Sequence, residues 1–210
     1  MRHKSSFKIL KLTLKNTNNK ILKSIYNIVV DENYLAIISL LNLKSFKRLL
    51  LQIIKSNKIF LFVIKDKEKI VGYSIYSDKP SQIFEDANNL KFIIIINLLI
   101  KFKFITILNL IIKFLHIDKV LFSKDKKKFY NKTLNLSYLA IHRKYQSKGI
   151  GKYFVKETLN KLKKNYEKKI VTVDTKDPNT KNFYLNKCKF SLLGEKIELF
   201  KSTSVFYKKI

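Results

Sequence analysis

The spacing of apolar residues in the first half of the chain predicts a pair of neighbouring strands. Residues 8–14 alternate between apolar and polar as a strand does, and residues 59–64 form a continuous apolar run. A polar turn separates that run from a second strand-like segment, residues 70–77, so the two segments predict a β-hairpin. Gly72 lies inside the second segment and indicates a bulge or a close approach of another backbone.

Apolar residues at helical spacing predict helices before this hairpin and a further alternation after residue 133. The first half contains a short helix over residues 21–29 and a longer one over about 34–55. The second half predicts a strand at residues 134–141, a helix at 149–166, a strand at 169–174 and a helix at 178–188. Closing strands follow at 190–193, 197–200 and 204–208. No repeat or linker divides the chain. The order therefore predicts one domain over residues 1–210, of α/β or α+β class, around a central sheet.

Residues 81–117 fit this alternation least well. Two apolar stretches, 92–100 and 104–112, are separated by a stretch that contains two lysines. Neither stretch reaches the roughly 20 apolar residues that a membrane-spanning helix needs. Three interpretations stay open: two helices packed on the core, a pair of helices at a membrane interface, or a tight transmembrane hairpin. Residues 118–131 are predicted to form a lysine-rich loop.

The net charge of the chain is large and positive. Its 210 residues include 44 Lys plus Arg and 15 Asp plus Glu, which gives +29 at pH 7. Such a charge favours anionic partners. Only Arg2, Arg48 and Arg143 are arginines, however, and arginine is the residue that grips phosphates and base edges with two hydrogen bonds. The lysine excess is therefore interpreted first as a composition bias, with selection for a polyanionic partner as the alternative, and nucleic acid is not the expected partner.

Few residues are available for disulfide or metal chemistry. The single cysteine, Cys188, excludes an intramolecular disulfide framework, and three scattered histidines offer no metal-ligand spacing, so no metal is expected. No small-residue cleavage site follows an apolar run near Met1, so we expect a cytoplasmic protein, with peripheral contact to an anionic membrane as an open alternative.

The turn over residues 146–151 carries the clearest chemical signal. Gly149 and Gly151 lie between a predicted strand and a predicted helix, where glycine allows successive backbone N–H groups to turn toward one centre. The helix N-terminus adds unpaired donors and partial positive charge, which together suit a pyrophosphate. The turn lacks the ending of a Walker loop and the spacing of the dinucleotide fingerprint. A purely structural strand–helix turn is the alternative.

Two segments around this turn resemble the GNAT superfamily of acyl-CoA N-acyltransferases. Residues 139–151 (LAIHRKYQSKGIG) resemble its coenzyme A signature, and residues 177–190 (DPNTKNFYLNKCKF) resemble its second conserved segment. The resemblance implies an α+β (three-layer α/β) fold, with a mixed sheet of six or seven strands, flanking helices and a helical insertion at about 81–117 between the third and fourth strands. Three residues depart from the family pattern: Asp177 stands for Asn, Thr180 for Ala and Lys189 for Gly.

The resemblance also implies a reaction, the direct transfer of an acetyl group from acetyl-CoA to a primary amine of a small molecule. Tyr184 would be the general acid that protonates the departing thiolate. Backbone N–H groups would hold the pyrophosphate, with lysines at the rim, and the preceding strand would pair with the pantetheine arm. The implied cofactor-binding residues are Leu139, Ala140, Ile141, Gln146, Ser147, Lys148, Gly149, Ile150, Gly151, Lys152 and Asn179.

Several features of the reaction stay open at the level of sequence. Asp174 and Glu68 are candidate bases, although each is interpreted first as a solvated surface carboxylate. The apolar, lysine-rich insertion favours an anionic acceptor such as an amino sugar carried on a nucleotide or lipid pyrophosphate. A homodimer is compatible with the resemblance. The competing interpretation is a basic membrane-surface protein on a degenerate acetyltransferase fold.

Overall fold

A seven-stranded mixed sheet forms the centre of the protein. The computed structural model describes residues 7–32, 37–78, 129, 132–167, 170–198 and 201–210. The strands are β1 (Phe7–Lys11), β2 (Ile59–Asp66), β3 (Lys69–Ser77), β4 (Leu134–Ile141), β5 (Ile170–Thr175), β6 (Ser191–Glu198) and β7 (Lys201–Lys209). Their order in the sheet is β1-β2-β3-β4-β5-β7-β6. Only β4 and β5 run parallel, and every other neighbouring pair is antiparallel.

Helices cover both faces of this sheet. They are α1 (Asn19–Glu32), α2 (Leu43–Lys55), α3 (Ile150–Asn165) and α4 (Pro178–Asn182), which continues as a π-helical turn, Phe183–Lys187. On one face, α1 and α2 pack on residues such as Tyr73 and Ile75. On the other face, α3 and the π-helical turn pack on Phe62 and Tyr76. The three layers confirm the predicted fold class.

The hairpin of β2 and β3 confirms the prediction made for Gly72. The register of the pair slips between Ile64 and Lys65, which is the predicted bulge. A Cβ at Gly72 would lie 2.4 Å from Cδ1 of Ile141 and 2.7 Å from the carbonyl oxygen of Ala140. Glycine is therefore required because β4 passes closer than any side chain would allow.

The predicted helix over residues 34–55 is wrong at its start. Helix α2 begins only at Leu43, because Asn42 is its N-cap and accepts a hydrogen bond of 2.9 Å from the Ser45 backbone N–H. A separate 3₁₀ turn, Ile37–Leu40, precedes it.

The closing strands also differ from the prediction. Two of the three expected segments form one continuous strand, β6, whose register with β7 slips between Leu192 and Gly194. The irregular spacing of apolar residues that suggested a break is thus a bulge.

The predicted insertion at 81–117 lies outside the described residues, as does the predicted loop over 118–131 except for Phe129. Both stay predictions. Among the described helices, none is long and apolar enough to cross a membrane.

Candidate active site

The parallel strands β4 and β5 separate soon after they meet. They pair only at Leu134 with Val171 and at Asn135 with Thr172. On its other edge, β4 pairs with β3, and the register of this pair shifts by one residue. Leu136 and Tyr138 each pair with a residue of β3, whereas Ser137 between them pairs with none. Beyond this bulge, the β5 side of β4 has no partner strand among the described residues. The edge of β4 over Leu139, Ala140 and Ile141 is therefore open to an extended ligand, apart from the Ile141 carbonyl, which accepts from the Gln146 side chain.

The turn that follows β4 has the backbone shape of an anion cradle. Ser147 and Gly149 both lie in the left-handed region, with φ of 60° and 74°. Alternation of this kind turns successive N–H groups toward one side. Helix α3 starts at Ile150, and its first N–H groups have no acceptor within the helix. A Cβ built at Gly149 meets no atom within 4 Å, so the space beside the turn is open.

Gln146 supports this turn and is not a free donor, which corrects its predicted role. Its backbone N–H already donates to the Arg143 carbonyl, at 3.1 Å. Its side-chain amide donates to the Ile141 carbonyl at 2.6 Å and to Glu32 Oε2 at 3.1 Å. The backbone N–H groups left for an anion are therefore those of Ser147 to Gly151.

Two lysines lie at the rim of the cradle. Lys148 Nζ donates to the Lys144 carbonyl at 2.9 Å and lies 6.0 Å from the centre of the Tyr145 ring. Lys152 is exposed on the first turn of α3. Both ammonium groups add positive charge where the unpaired N–H groups converge.

The departures from the family pattern at 177 and 180 are explained together by helix capping. Asp177 is the N-cap of α4, and its Oδ2 accepts from the backbone N–H and the hydroxyl of Thr180, at 2.7 and 2.6 Å. These bonds lower the pKa of the Asp177 carboxyl below its ordinary value. Asn179, in the first turn of α4, is exposed.

Tyr184 lies on the π-helical turn after α4, with 4 % of its surface exposed. Its ring contacts Phe183 and Phe190, at centroid distances of 5.2 and 5.5 Å. No hydrogen bond joins its hydroxyl to another residue of the described part of the chain. Burial raises the pKa of the phenol well above its ordinary value, and nearby Tyr76 raises it further. The phenol is therefore protonated at neutral pH.

The start of α3 and the Tyr184 turn are in contact. A Cβ at Gly151 would lie 3.4 Å from the Phe183 ring and 3.8 Å from Ile141 Cγ1. The end of β4, the start of α3 and the turn that carries Tyr184 therefore lie next to one another.

On the other face of the sheet, the same opening carries a carboxylate. Asp174 lies on β5, past the point where β5 leaves β4, and its Oδ2 is 2.6 Å from Lys196 Nζ. The Asp174 side chain is only 15 % exposed, so its interpretation as a solvated carboxylate is wrong. Asn135 Nδ2 approaches the other oxygen at 3.4 Å and is itself buried. Glu68, in contrast, is 95 % exposed in the hairpin turn, as predicted.

The family model described as Acetyltransferase (GNAT) family matches residues 115–190, a range that contains β4, the cradle, α3, β5 and Tyr184. This part of the chain is therefore similar to the GNAT acetyltransferases, which are acyltransferases. No curated protein matches its sequence.

Solved structures share the fold of this chain at low identity. One is the ribosomal-protein-S18-alanine N-acetyltransferase from Escherichia coli, 11 % identical, covering 97 % of this chain and 94 % of that one, with a TM-score of 0.55. A mutant of the spermidine N-acetyltransferase SpeG from Vibrio cholerae is 12 % identical, covers 98 % and 94 %, and has a TM-score of 0.58. A GNAT-family acetyltransferase from Bacillus cereus is 13 % identical, covers 97 % and 96 %, and has a TM-score of 0.53.

Three residues around the candidate site escape sequence reasoning. Asn135 is a polar residue inside an apolar strand, and that position alone signals a special role. Lys196 and Glu32 give no such signal, because each becomes significant only through a distant partner, Asp174 and Arg143 respectively.

A basic groove lies apart from the candidate site, between α1 and α2. It encloses about 720 Å³, and the residues that line it include Leu22 and Leu51. Among the described residues that line it there are four cations and no acidic residue: Lys44, Lys47, Arg48 and Lys55.

Proposed function

We propose that this chain is an N-acetyltransferase that moves an acetyl group from acetyl-CoA directly to a primary amine. The observation that carries the proposal is the opening between β4 and β5, which leads from a free strand edge to the cradle at the start of α3. The unpaired donors and the open space at Gly149 fit a pyrophosphate, and the free edge of β4 fits the amide groups of a pantetheine arm.

The residues divide the binding of acetyl-CoA between backbone and side chains. The N–H groups from Ser147 to Gly151 hold the pyrophosphate, and Lys148 and Lys152 attract it from the rim. Leu139, Ala140 and Ile141 pair with the pantetheine arm. Asn179 contacts the coenzyme from the start of α4.

The chemical step needs a proton acceptor on one side of the opening and a proton donor on the other. Asp174 takes one proton from the acceptor's ammonium, and the resulting amine attacks the thioester carbonyl carbon. The C–S bond then breaks, and Tyr184 donates its proton to the leaving thiolate. The second proton lost by the acceptor nitrogen returns to the Tyr184 oxygen, and Asp174 releases its proton to solvent. A free N–H of β4 stabilises the charge that develops on the carbonyl oxygen.

We propose an amino sugar carried on a nucleotide or lipid pyrophosphate as the acceptor. The net charge of +29 attracts such an anion and opposes a polycation. The carboxylate described at the opening, Asp174, is paired with Lys196, which weakens its attraction for a polycation. The structural neighbours named for spermidine and for the alanine of ribosomal protein S18 supply the two other acceptor classes to assay, polyamines and peptide N-termini. Turnover restricted to either class would overturn the sugar proposal.

Calorimetric titration of acetyl-CoA tests the cofactor site. The control is Gly151→Glu, which places bulk and negative charge beside Phe183 and Ile141. Both proteins are titrated at moderate and high salt, because a highly basic protein attracts polyphosphates without specificity. We expect saturable binding that persists in salt and disappears in the variant. Equal, salt-sensitive binding by both proteins would refute the cradle.

Replacing Tyr184 with phenylalanine tests the proton donor. We expect kcat to fall by about 10²–10⁴-fold, the usual contribution of general acid–base catalysis, with little change in acetyl-CoA affinity. The matched control is Tyr26→Phe, because Tyr26 packs against Phe46 on the opposite face of the sheet. An unchanged kcat in Tyr184→Phe would exclude the acid role.

The basic groove favours a second candidate function, contact with an anionic membrane surface. Four cations and three leucines line it, a combination that suits a lipid phosphate and the start of its acyl chain. Sedimentation with phosphatidylserine vesicles tests this function. We expect Lys47→Glu to weaken binding more than Lys156→Glu, a charge change of the same size on exposed α3. Equal losses would mean that net charge alone drives the binding.

A further inference from the structure

Glu32, the last residue of α1, lies against the turn that precedes the cradle. Its Oε1 accepts from the Arg143 backbone N–H at 2.8 Å and lies 3.5 Å from Arg143 Nε. Its Oε2 accepts from the Gln146 amide at 3.1 Å. The Arg143 guanidinium also donates to the Asp31 carbonyl, at 3.5 Å. These bonds join the C-terminus of α1 to residues more than 110 positions later in the chain.

Electrostatics alone makes this a poor place for a carboxylate. The C-terminus of a helix carries partial negative charge, which disfavours an acidic side chain there. The Glu32 side chain is only 11 % exposed, so water screens it little. It also lies close to a cradle suited to an anion. The Glu32 carboxylate lies there because it accepts hydrogen bonds from the Arg143 backbone N–H and the Gln146 side-chain amide.

Glu32 fixes the shape of the turn through two neighbours. It holds the Arg143 N–H at the start of the 3₁₀ turn, and it holds the Gln146 amide, which also binds the last carbonyl of β4, that of Ile141. A second contact, from the Tyr145 hydroxyl to Asp66 Oδ2 at 3.2 Å, supports the same turn from β2. The residues that lead into the cradle are thus held on both sides before any ligand binds.

We propose that Glu32 is a positioning residue for acetyl-CoA, which keeps the cradle in its anion-binding shape. This inference rests on the proposed function. It predicts a change in acetyl-CoA affinity opposite in sign to the change that net charge predicts. Removing Glu32 raises the net charge by one, so charge alone predicts tighter binding of an anion. A positioning role predicts weaker binding, because the ligand must then order the turn itself.

Three variants separate these two effects. Glu32→Ala removes every contact of the carboxylate. Glu32→Gln keeps an oxygen that can accept from the Arg143 N–H but loses the charge. Asp31→Asn removes the same charge one residue earlier, where the side chain is exposed, and is the matched control. The dissociation constant of acetyl-CoA is measured by calorimetry, together with KM for each substrate, kcat and the thermal midpoint.

We expect Glu32→Ala to raise the dissociation constant and KM of acetyl-CoA by about tenfold or more, since loss of a charged hydrogen bond is of this order. Glu32→Gln should show a smaller rise, and Asp31→Asn no rise. The acceptor KM and kcat should not change. Unchanged or tighter binding in both Glu32 variants would overturn the inference. Failure of the unaltered protein to bind acetyl-CoA would instead refute the proposed function. If Glu32→Ala does not fold, the comparison of Glu32→Gln with Asp31→Asn decides.

Discussion

The close approach of β4 to Gly72 makes Gly72→Ala a sharp test of the packing beneath the site. The added methyl group would lie 2.4 Å from Ile141 Cδ1 and 2.7 Å from the Ala140 carbonyl oxygen. Carbon atoms pack best at roughly 3.5–4.0 Å, so the first contact is short by about 1 Å. The Ile141 side chain can rotate, but the Ala140 oxygen belongs to the backbone of β4 and moves only with the strand.

The magnitude follows from this difference. Overpacking of a core usually lowers the free energy of unfolding by about 1–3 kcal/mol, and a clash with backbone belongs in the upper part of that range. For a domain of this size, a loss of about 2 kcal/mol corresponds to a fall of roughly 4–8 °C in Tm. Because Ala140 and Ile141 also form the proposed pantetheine edge, acetyl-CoA affinity should fall as well.

Urea unfolding followed by circular dichroism measures the stability, and calorimetry measures the affinity. The matched control is Gly151→Ala, in which the new methyl group would lie 3.4 Å from the Phe183 ring, an ordinary contact. That variant should unfold within about 0.5 kcal/mol of the unaltered protein or be slightly more stable, since alanine favours a helix. Equal stabilities of Gly72→Ala and Gly151→Ala would refute the argument.

Three further predictions concern the backbone and the thiol. Gly149→Ala should lower the free energy of unfolding by about 1 kcal/mol in urea titration, because φ at this position is 74°. No atom lies within 4 Å of the added methyl group, so the loss comes from the backbone alone, and Lys148→Ala is the control. Lys189→Gly should raise the free energy of unfolding by roughly 0.5–1 kcal/mol, because this exposed lysine has a φ of 58°. The control Lys187→Gly, in the neighbouring helical turn, should lower that free energy. Burial raises the pKa of the Cys188 thiol to about 12, so a disulfide reagent at pH 8 should modify it only as fast as the protein unfolds. Rapid modification under native conditions would contradict that burial.

Sequence reasoning succeeded where one local pattern determined the structure. The bounds of β4 were predicted at 134–141 because its apolar positions are bracketed by polar turns, and the structure places Leu134–Ile141 there. It failed where a single polar residue acts as a cap, as Asn42 does within an otherwise helical pattern. The exposure of Asp174 could not be predicted either, since it depends on Lys196 from a strand that is not its neighbour in the sheet.

The same limit applies to the cradle. Gly149 and Gly151 identified the turn, and the positive φ of Gly149 agrees with that reasoning. The donors that serve the turn itself could not be separated from those left for a ligand. Gln146 was assigned to the ligand because nothing in the local sequence indicates that Glu32 will lie beside it.

The short pairing between β4 and β5 has a mechanical consequence. The described sheet consists of two parts, β1 to β4 and β5-β7-β6, and its strand pairing joins them at only two residue pairs, with side-chain bonds from Asn135 beside them. Such a seam is where local opening should begin, and the amides on either side should exchange with solvent as two separate groups. A ligand that adds itself along β4 at this seam would act as an extra strand between the two parts. Occupancy of the site would then slow exchange across the whole sheet, far beyond the residues that the ligand contacts.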